Sequence, residues 1–571
     1  MQRTSQLLLG AIVSALLFAS IPATAQNTAY GVFALYNNTT GDKNSAFGYA
    51  ALYTNATGSN NTASGVWALN FNTTGNYNTA NGFQALYANS TGSYNTANGV
   101  NSLYNNRTGS YNTANGYYAL GSNSTGYNNV ANGTYSLYQN TTGYNNVANG
   151  YGSLYSNTTG SNNTANGIGA LLSNTEGAYN TADGAAALYA NTTGGANTGS
   201  GSYALYANTT GSNNTANGFT ALYTNGTGSA NTANGAAALY SNTTGSGNVA
   251  TGNSSLLSNT VGSYNTANGT SSLQQSTSAT ADTAMGYNAL FKNTTGGYNT
   301  ALGYNALYAN TAAANNVGLG AQSLFKNATG GNNVAIGYNS LYQNTGKGNI
   351  GVGYSGGYAL TKGNNNIAIG NIGVAAESGA IRIGTTGTQT SAYIAGISGV
   401  TASSGVAVYI DSNGQLGTIT SSRRFKNDIK SMGSVSEKLL QLRPVTFRYK
   451  VADEKGGHPV QYGLIAEEVA KVFPDLVQYD KQGKPFTVRY HLLTPMILNE
   501  LQKSRREIAE VKSSSKSEIV ALRVENASIK AKLASMEQAQ AEQKRLLNQL
   551  AAYIQNDKKN APAQKANFVQ H

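Results

Sequence analysis

The sequence contains no cysteine, so neither disulfides nor thiol chemistry hold this fold. Charge is scarce as well: 10% of the 571 residues are Asp, Glu, Lys or Arg. Residues 26–400 hold five carboxylates, Asp42, Glu176, Asp183, Asp282 and Glu377, mostly isolated along the chain. Glycoside hydrolysis needs a carboxylate pair, and only Glu176 and Asp183 lie close together in sequence. Histidine is confined to His458, His491 and His571, and there is no G-x-S-x-G elbow, so no Ser-His-Asp triad is evident. Nothing suggests a metal or a cofactor. No stretch after residue 25 approaches 18 consecutive apolar residues, so no transmembrane helix is expected there.

What is abundant is Gly (68 residues) and Tyr (39 residues), with Asn and Thr filling much of the remainder. That bias is common in disordered chains, but those rarely keep a strict period with apolar residues at fixed places. The length exceeds what one core serves, so several units are expected. The net charge of +12 is uneven. Residues 26–400 carry seven basic and five acidic side chains, and residues 401–571 carry 26 basic and 17 acidic. A basic tail raises the question of nucleic acid or membrane. Here Lys and Arg interleave with Glu along a helical stretch, which reads as a solvated helix surface, and no nucleic-acid partner is expected.

The first 25 residues read as a signal peptide: Arg3, an apolar Leu7 to Phe18, and the A-x-A site Ala23-Thr24-Ala25 before Gln26. Export from a bacterial cytoplasm follows as an expectation, with the mature chain at the cell surface, outside the cell or in the periplasm.

One glycine recurs every 17 residues from Gly31 to Gly337, 19 times without a slip. A one-residue deletion near Gly348 shifts it to Gly353, and Gly370 follows. The unit reads N-T-A-N-G-x-x-A-L-Y-x-N-T-T-G-S-Y. Its glycines supply positive-φ and close-approach positions, and Asn-Thr-Thr-Gly, as at Asn72 to Gly75, is turn chemistry. Ala-Leu-Tyr reads as a short strand with one large buried aliphatic. A unit this short and glycine-rich cannot hold a helical hairpin, so residues 26–375 are expected to form a parallel β-solenoid of two short strands and two turns per coil. Each coil buries little alone and relies on its neighbours. Asn and Thr repeated at every level are placed to form ladders along the stack. With strands ~4.8 Å apart, the coils make a rod on the order of 100 Å long. Leu and Tyr ridges left along it would be sticky, and packing two or three rods together would cover them.

Asn333-Val334-Ala335-Ile336-Gly337 and Asn366-Ile367-Ala368-Ile369-Gly370 resemble the N-x-A-I-G coils of trimeric autotransporter adhesin heads of the YadA type. That resemblance implies a β-roll assembled as a trimer. The usual coil of that family is shorter, so three residues here fall in an enlarged turn. Anchoring through that family's C-terminal barrel is not expected, since a helix and a polar tail stand in its place. The many N-x-[ST] triplets, such as Asn38-Thr39-Thr40, are formal glycosylation sequons but read more simply as turns.

Residues 376–420 read as a β-rich neck. Ile381 to Gly384 and Tyr393 to Gly396 are expected as terminal strands, and Val406 to Ile410 with Leu416 to Ile419 as a hairpin around Asp411-Ser412-Asn413-Gly414. Composition then turns charged. Residues 421 to about 515 resemble the peptidase S74 domain, the intramolecular chaperone at the ends of phage tail spikes and endosialidases. The resemblance rests on Ser421-Ser422-Arg423-Arg424-Phe425-Lys426, on Arg443-Pro444-Val445-Thr446-Phe447, on Gly463-Leu464-Ile465-Ala466-Glu467-Glu468-Val469 and on Phe473-Pro474-Asp475-Leu476-Val477. It implies an α+β domain that trimerises and cuts its own chain, with Ser421 as nucleophile and Lys426 as general base. That chemistry needs a neutral amine beside the hydroxyl, which desolvation or neighbouring cations such as Arg423 and Arg424 would favour. Ser422 stands where the family has Asp. The alternative is that Ser421 and Ser422 cap a turn while Lys426 is merely solvated.

From Leu492 to Gln555 the sequence reads as helix, with a weaker stretch at Ser513 to Ser517. A seam runs through Leu522, Asn526, Ile529, Leu533, Met536, Gln540, Gln543, Leu547, Leu550 and Ile554 at alternating spacings of four and three. This is heptad spacing, as in a coiled coil; a single helix packed on the preceding domain is the alternative. Residues 556–571 read as a disordered tail. Together these features describe an exported, homotrimeric, adhesin-like fibre with itself as first partner and surface glycans as a second. A polysaccharide-degrading or glycan- or ice-binding fibre is the other reading.

Overall fold

The computed structural model describes residues 26–397, 402–411, 413–453, 456–480 and 482–557. The expected signal peptide, Ser412 and all but the first two residues of the expected tail lie outside them. The chain divides into two compact units, up to Tyr393 and from Ile394.

The first unit is a parallel β-solenoid. Strands β1 (Thr28–Tyr30) to β22 (Ile381–Ile383) are three residues long, and each pairs in parallel with the next. The usual offset is 17 residues, so Thr96 faces Thr113 and Thr113 faces Val130. The repeat frame places the same residues at the same corner of every coil. In the coil holding β6 (Thr113–Asn115), Ala114, Ala119 and Leu120 are fully buried.

Three apolar side chains do not fill the coil, and two rows of buried Asn complete it. In the first row the Asn112 main-chain N–H donates to Asn95 Oδ1 (3.0 Å), while Asn112 Nδ2 donates to Gly126 O (2.8 Å). In the second, Asn123 Nδ2 donates to Asn106 Oδ1 (2.7 Å) and to the same Gly126 carbonyl (2.9 Å). The expected ladders therefore exist, and they run through the interior. In most coils each level satisfies the next, which is what makes a buried amide tolerable. Gly116 (φ 143°) recurs because a Cβ there would lie 2.6 Å from the Gly133 carbonyl of the next coil.

The Ala-Leu-Tyr segment is not a strand. Its leucines, from Leu35 to Leu341, take left-handed φ values between 49° and 54°. Such a conformation costs an L-residue roughly 1–2 kcal/mol. Stacking imposes it: the Tyr118 N–H points back to Val100 O (3.0 Å), whereas the Leu120 N–H points forward to Ser136 O (2.9 Å). Burying the leucine, about 1.5–3 kcal/mol, offsets the cost. Leucine consequently forms no outer ridge. Tyrosine does: Tyr77, Tyr94 and Tyr111 stack at 4.9 Å, and Tyr308, Phe325 and Tyr342 at 5.2 and 5.1 Å.

The deletion near Gly348 falls in a turn. Asn344 Nδ2 reaches Gly346 O two residues on (3.1 Å), where other coils reach three. After Ala368 the interior runs out. Glu377 closes the end, accepting from the Val374 N–H (2.8 Å) and pairing with Arg382 (2.8 Å). Ile381–Ile383 is a strand as expected, but Tyr393 to Gly396 is not. Without a further coil to pair with, that segment has no ladder to join.

The second unit opens with a short antiparallel hairpin, β23 (Tyr409–Ile410) and β24 (Leu416–Gly417). Two further antiparallel pairs follow: β25 (Val445–Phe447) with β26 (Gln461–Gly463), and β27 (Val477–Tyr479) with β28 (Pro485–Val488). Helix α1 (Ala466–Val472) packs Val469 with Phe473, Leu476, Val477 and Val488 into a small core. Helix α2 (Tyr490–Asp557) is 68 residues long and unbroken through Ser513 to Ser517. None of its residues is buried. No helix among the described residues is long and apolar enough to cross a membrane.

Candidate functional site

Ser421 and Lys426 sit at the two ends of a single 3₁₀ turn, Arg423–Phe425. The turn is closed by the Phe425 N–H on Ser422 O (3.0 Å) and the Lys426 N–H on Arg423 O (3.1 Å). Three residues at 3₁₀ pitch bring the flanking side chains to one side. Lys426 Nζ lies 3.1 Å from Ser421 Oγ, within hydrogen-bond reach. The pair that the sequence resemblance singled out is thus in contact.

Ser422 holds the N-cap position of the turn, but its side chain makes no capping hydrogen bond. Ser421, Arg423, Arg424 and Lys426 are all exposed in the single chain. The Arg424 guanidinium lies over the Phe425 ring, 4.6 Å from its centre. Ser421 and Lys426 therefore meet at an exposed turn.

The motif residues further along tie together the segments that follow this turn. Arg443, on the approach to β25, donates from Nε to Glu468 Oε2 (3.1 Å) and from a terminal nitrogen to Glu468 Oε1 (2.5 Å). The hydrogen bond from Arg443 holds the Glu468 carboxyl below the usual carboxylate range. The Leu464 N–H donates to Tyr490 Oη (2.9 Å), tying the strand before α1 to the start of α2. Ser436, fully buried, donates to Glu500 Oε1 and accepts from Asn499 Nδ2, both at 2.5 Å. Among the described residues, the segment before Ser421 meets the one after it where the Tyr409 ring packs edge-on against His491, the second residue of α2, at 4.9 Å. The sequence carried no signal for that contact.

In the solenoid, two of the five carboxylates serve the fold. Glu377 caps its end, and Asp282 is buried at a position where neighbouring coils carry Asn265 and Asn299. Asp282 Oδ1 accepts from the Asn299 N–H (2.7 Å) and Oδ2 from Asn293 Nδ2 (2.7 Å). Burial pushes its carboxyl up to about 7, against the pull of those hydrogen bonds. The 17-residue frame was the signal that marked Asp282 as interior. The sequon asparagines, such as Asn123 and Asn140, are fully buried and hydrogen-bonded, which supports reading these triplets as turns.

Residues 421–478 match the family model Peptidase_S74, described as the chaperone of endosialidase. No curated protein and no solved structure matches the chain. A parallel β-solenoid followed by such a segment fits a tail-spike-like fibrous protein.

Proposed function

We propose that this chain is an exported, homotrimeric, adhesin-like structural protein whose S74-like region, residues 421–515, drives assembly. The carrying observation is α2. Its apolar residues, among them Leu522, Ile529, Leu533 and Leu547, are each at least half exposed along the heptad seam. An isolated helix with its seam in water lacks the packing from which most helical stability comes. Two further copies supply it. Parallel solenoids also nucleate slowly, because many long-range contacts must form together, and a trimerising region that follows the last coil in sequence holds three chains in register. The likeness of the repeat to autotransporter heads supports the same stoichiometry. The head of 17-residue coils then presents a long, regular face to surface glycans.

The Ser421–Lys426 contact favours a second role, self-cleavage. Ser421 Oγ adds to a main-chain carbonyl at this turn while Lys426 takes its proton and returns it to the departing amide nitrogen. Water then hydrolyses the ester. The exposed lysine becomes a competent base when other copies cover the turn, so cutting follows assembly. The test is a denaturing gel of the full chain with Ser421 intact and with Ser421→Ala. A fragment spanning 421–571 that vanishes in the variant supports cleavage. An uncut wild type removes this role and leaves assembly standing. Sedimentation over a concentration series tests assembly itself, and a monomer throughout would overturn it.

A further inference from the structure

From β2 to β21 the middle residue of each solenoid strand is buried, so the first and third face outward, and β22 continues the same register with Ile381 and Ile383 exposed. From β4 (Thr79–Asn81) to β15 (Thr266–Asn268), all but three of the outward residues are polar, the exceptions being Val130, Val147 and Val249. Part of this stretch closes an external amide ladder, with Asn81 Nδ2 on Asn98 Oδ1 (2.9 Å) and Asn115 Nδ2 on Asn132 Oδ1 (2.7 Å). The face changes at β16 (Thr283–Met285). From there to β22, twelve of the fourteen outward residues are Val, Ile, Leu or Met. Met285 is 40% exposed, Leu302 46%, Ile336 41% and Ile369 40%.

We infer that this aliphatic face over β16–β22 is where the solenoids of separate copies of this chain pack together, and that the polar-faced coils before it stay apart. The inference rests on the assembly reading above. Three observations select a second copy as occupant. The exposed side-chain surface is on the order of 700 Å², more than the ~300–600 Å² of the largest patch on an ordinary monomer and close to the ~800 Å² each partner gives to a standard interface. The rows repeat at the ~4.8 Å strand spacing, and another solenoid running the same way carries rows of that pitch. None of the fourteen outward residues is charged, so nothing selects an ionic partner. The face also ends at Ile383, 38 residues before Ser421. Copies joined through the C-terminal region therefore have their last coils tethered most closely.

The absence of native cysteine makes the test direct. Leu302→Cys, Ile336→Cys, Asn98→Cys and Asn132→Cys, each in the full chain, are labelled with a maleimide under native conditions, and the mass of the labelled species is measured. Protection of the first two by tenfold or more in an oligomer, with the other two reactive, is expected. Equal reactivity at all four in an oligomer overturns this interface and leaves assembly intact. Protection in a monomer overturns it too, because the chain would then cover itself. A reactive monomer overturns both readings. Hydroxyl-radical footprinting of the unsubstituted chain, comparing Met285 and Leu302 with Tyr117 and Tyr151, reads the same contrast without a variant. Met285 oxidised as readily as in the denatured chain contradicts the interface.

Discussion

Asp282→Asn removes a pH dependence from the interior of the solenoid. Two substitutions meet at this level. Asp282 stands in the first amide row between Asn265 and Asn299, and Ser276 stands in the second between Asn259 and Asn293. Ser276 is too short to continue its row, leaving Asn259 Oδ1 and its own Oγ without partners. Asn293 Nδ2 donates instead to Asp282 Oδ2 (2.7 Å). The carboxyl lies at about 7 in the fold against an ordinary 3.8, so the folded coil holds a proton that the unfolded chain releases. Its stability is therefore full below about pH 4, falls as pH rises, and levels off above about 7. The whole span is about 4 kcal/mol; between pH 5 and 8 it is about 3 kcal/mol, roughly a hundredfold in local opening. Hydrogen exchange of the peptide spanning 276–299, corrected for intrinsic rates, reads that opening. Asp282→Asn should flatten the pH profile. Adding Ser276→Asn should restore both rows and a further ~1 kcal/mol, the ordinary worth of a hydrogen bond. The two changes should couple in a double-mutant cycle because they share Asn293. A wild-type profile already flat over pH 5–8, or an unchanged slope in Asp282→Asn, would refute the reasoning.

Gly337→Ala should open the stack at its coil, since φ is 122° and the new Cβ would lie 2.5 Å from the Gly353 carbonyl; protease nicking around 330–355 should rise, while Thr329→Ala, on an exposed turn, should leave it unchanged. Leu120→Ala should cost about 2–5 kcal/mol locally, read as faster exchange at 103–137 with distant coils unaffected, as expected of nearest-neighbour stacking. Leu533→Asp should lower the helical circular dichroism and its melting temperature and make both depend more steeply on chain concentration. Lys426→Met should abolish the 421–571 fragment without changing the number of chains in the oligomer.

The period, the interior leucine and the amide ladders were legible because one residue type recurs at one corner of every coil. The conformation of Ala-Leu-Tyr was not. Residues such as Leu120 and Tyr155 read locally as strand, and only hydrogen bonding to coils above and below turns the leucine left-handed. For the same reason Tyr393 to Gly396, strand-like alone, forms no strand where the stack has ended. The Ser421–Lys426 pair was legible through family resemblance, since a five-residue spacing has no inherent meaning until a 3₁₀ turn closes it. Asp282 was visible only as one of five mostly isolated carboxylates. Its 17-residue offset from Asn265 already placed it inside. The aliphatic switch at β16 could be read only once the structure showed which strand residues face outward.

The most direct test of the account is the mass of the intact chain, with Ser421→Ala to prevent cutting, by sedimentation equilibrium over a wide concentration range. The account predicts one species at three times the chain mass, persisting on dilution, with α2 fully helical. A single chain mass at every concentration, with α2 still helical, would contradict it.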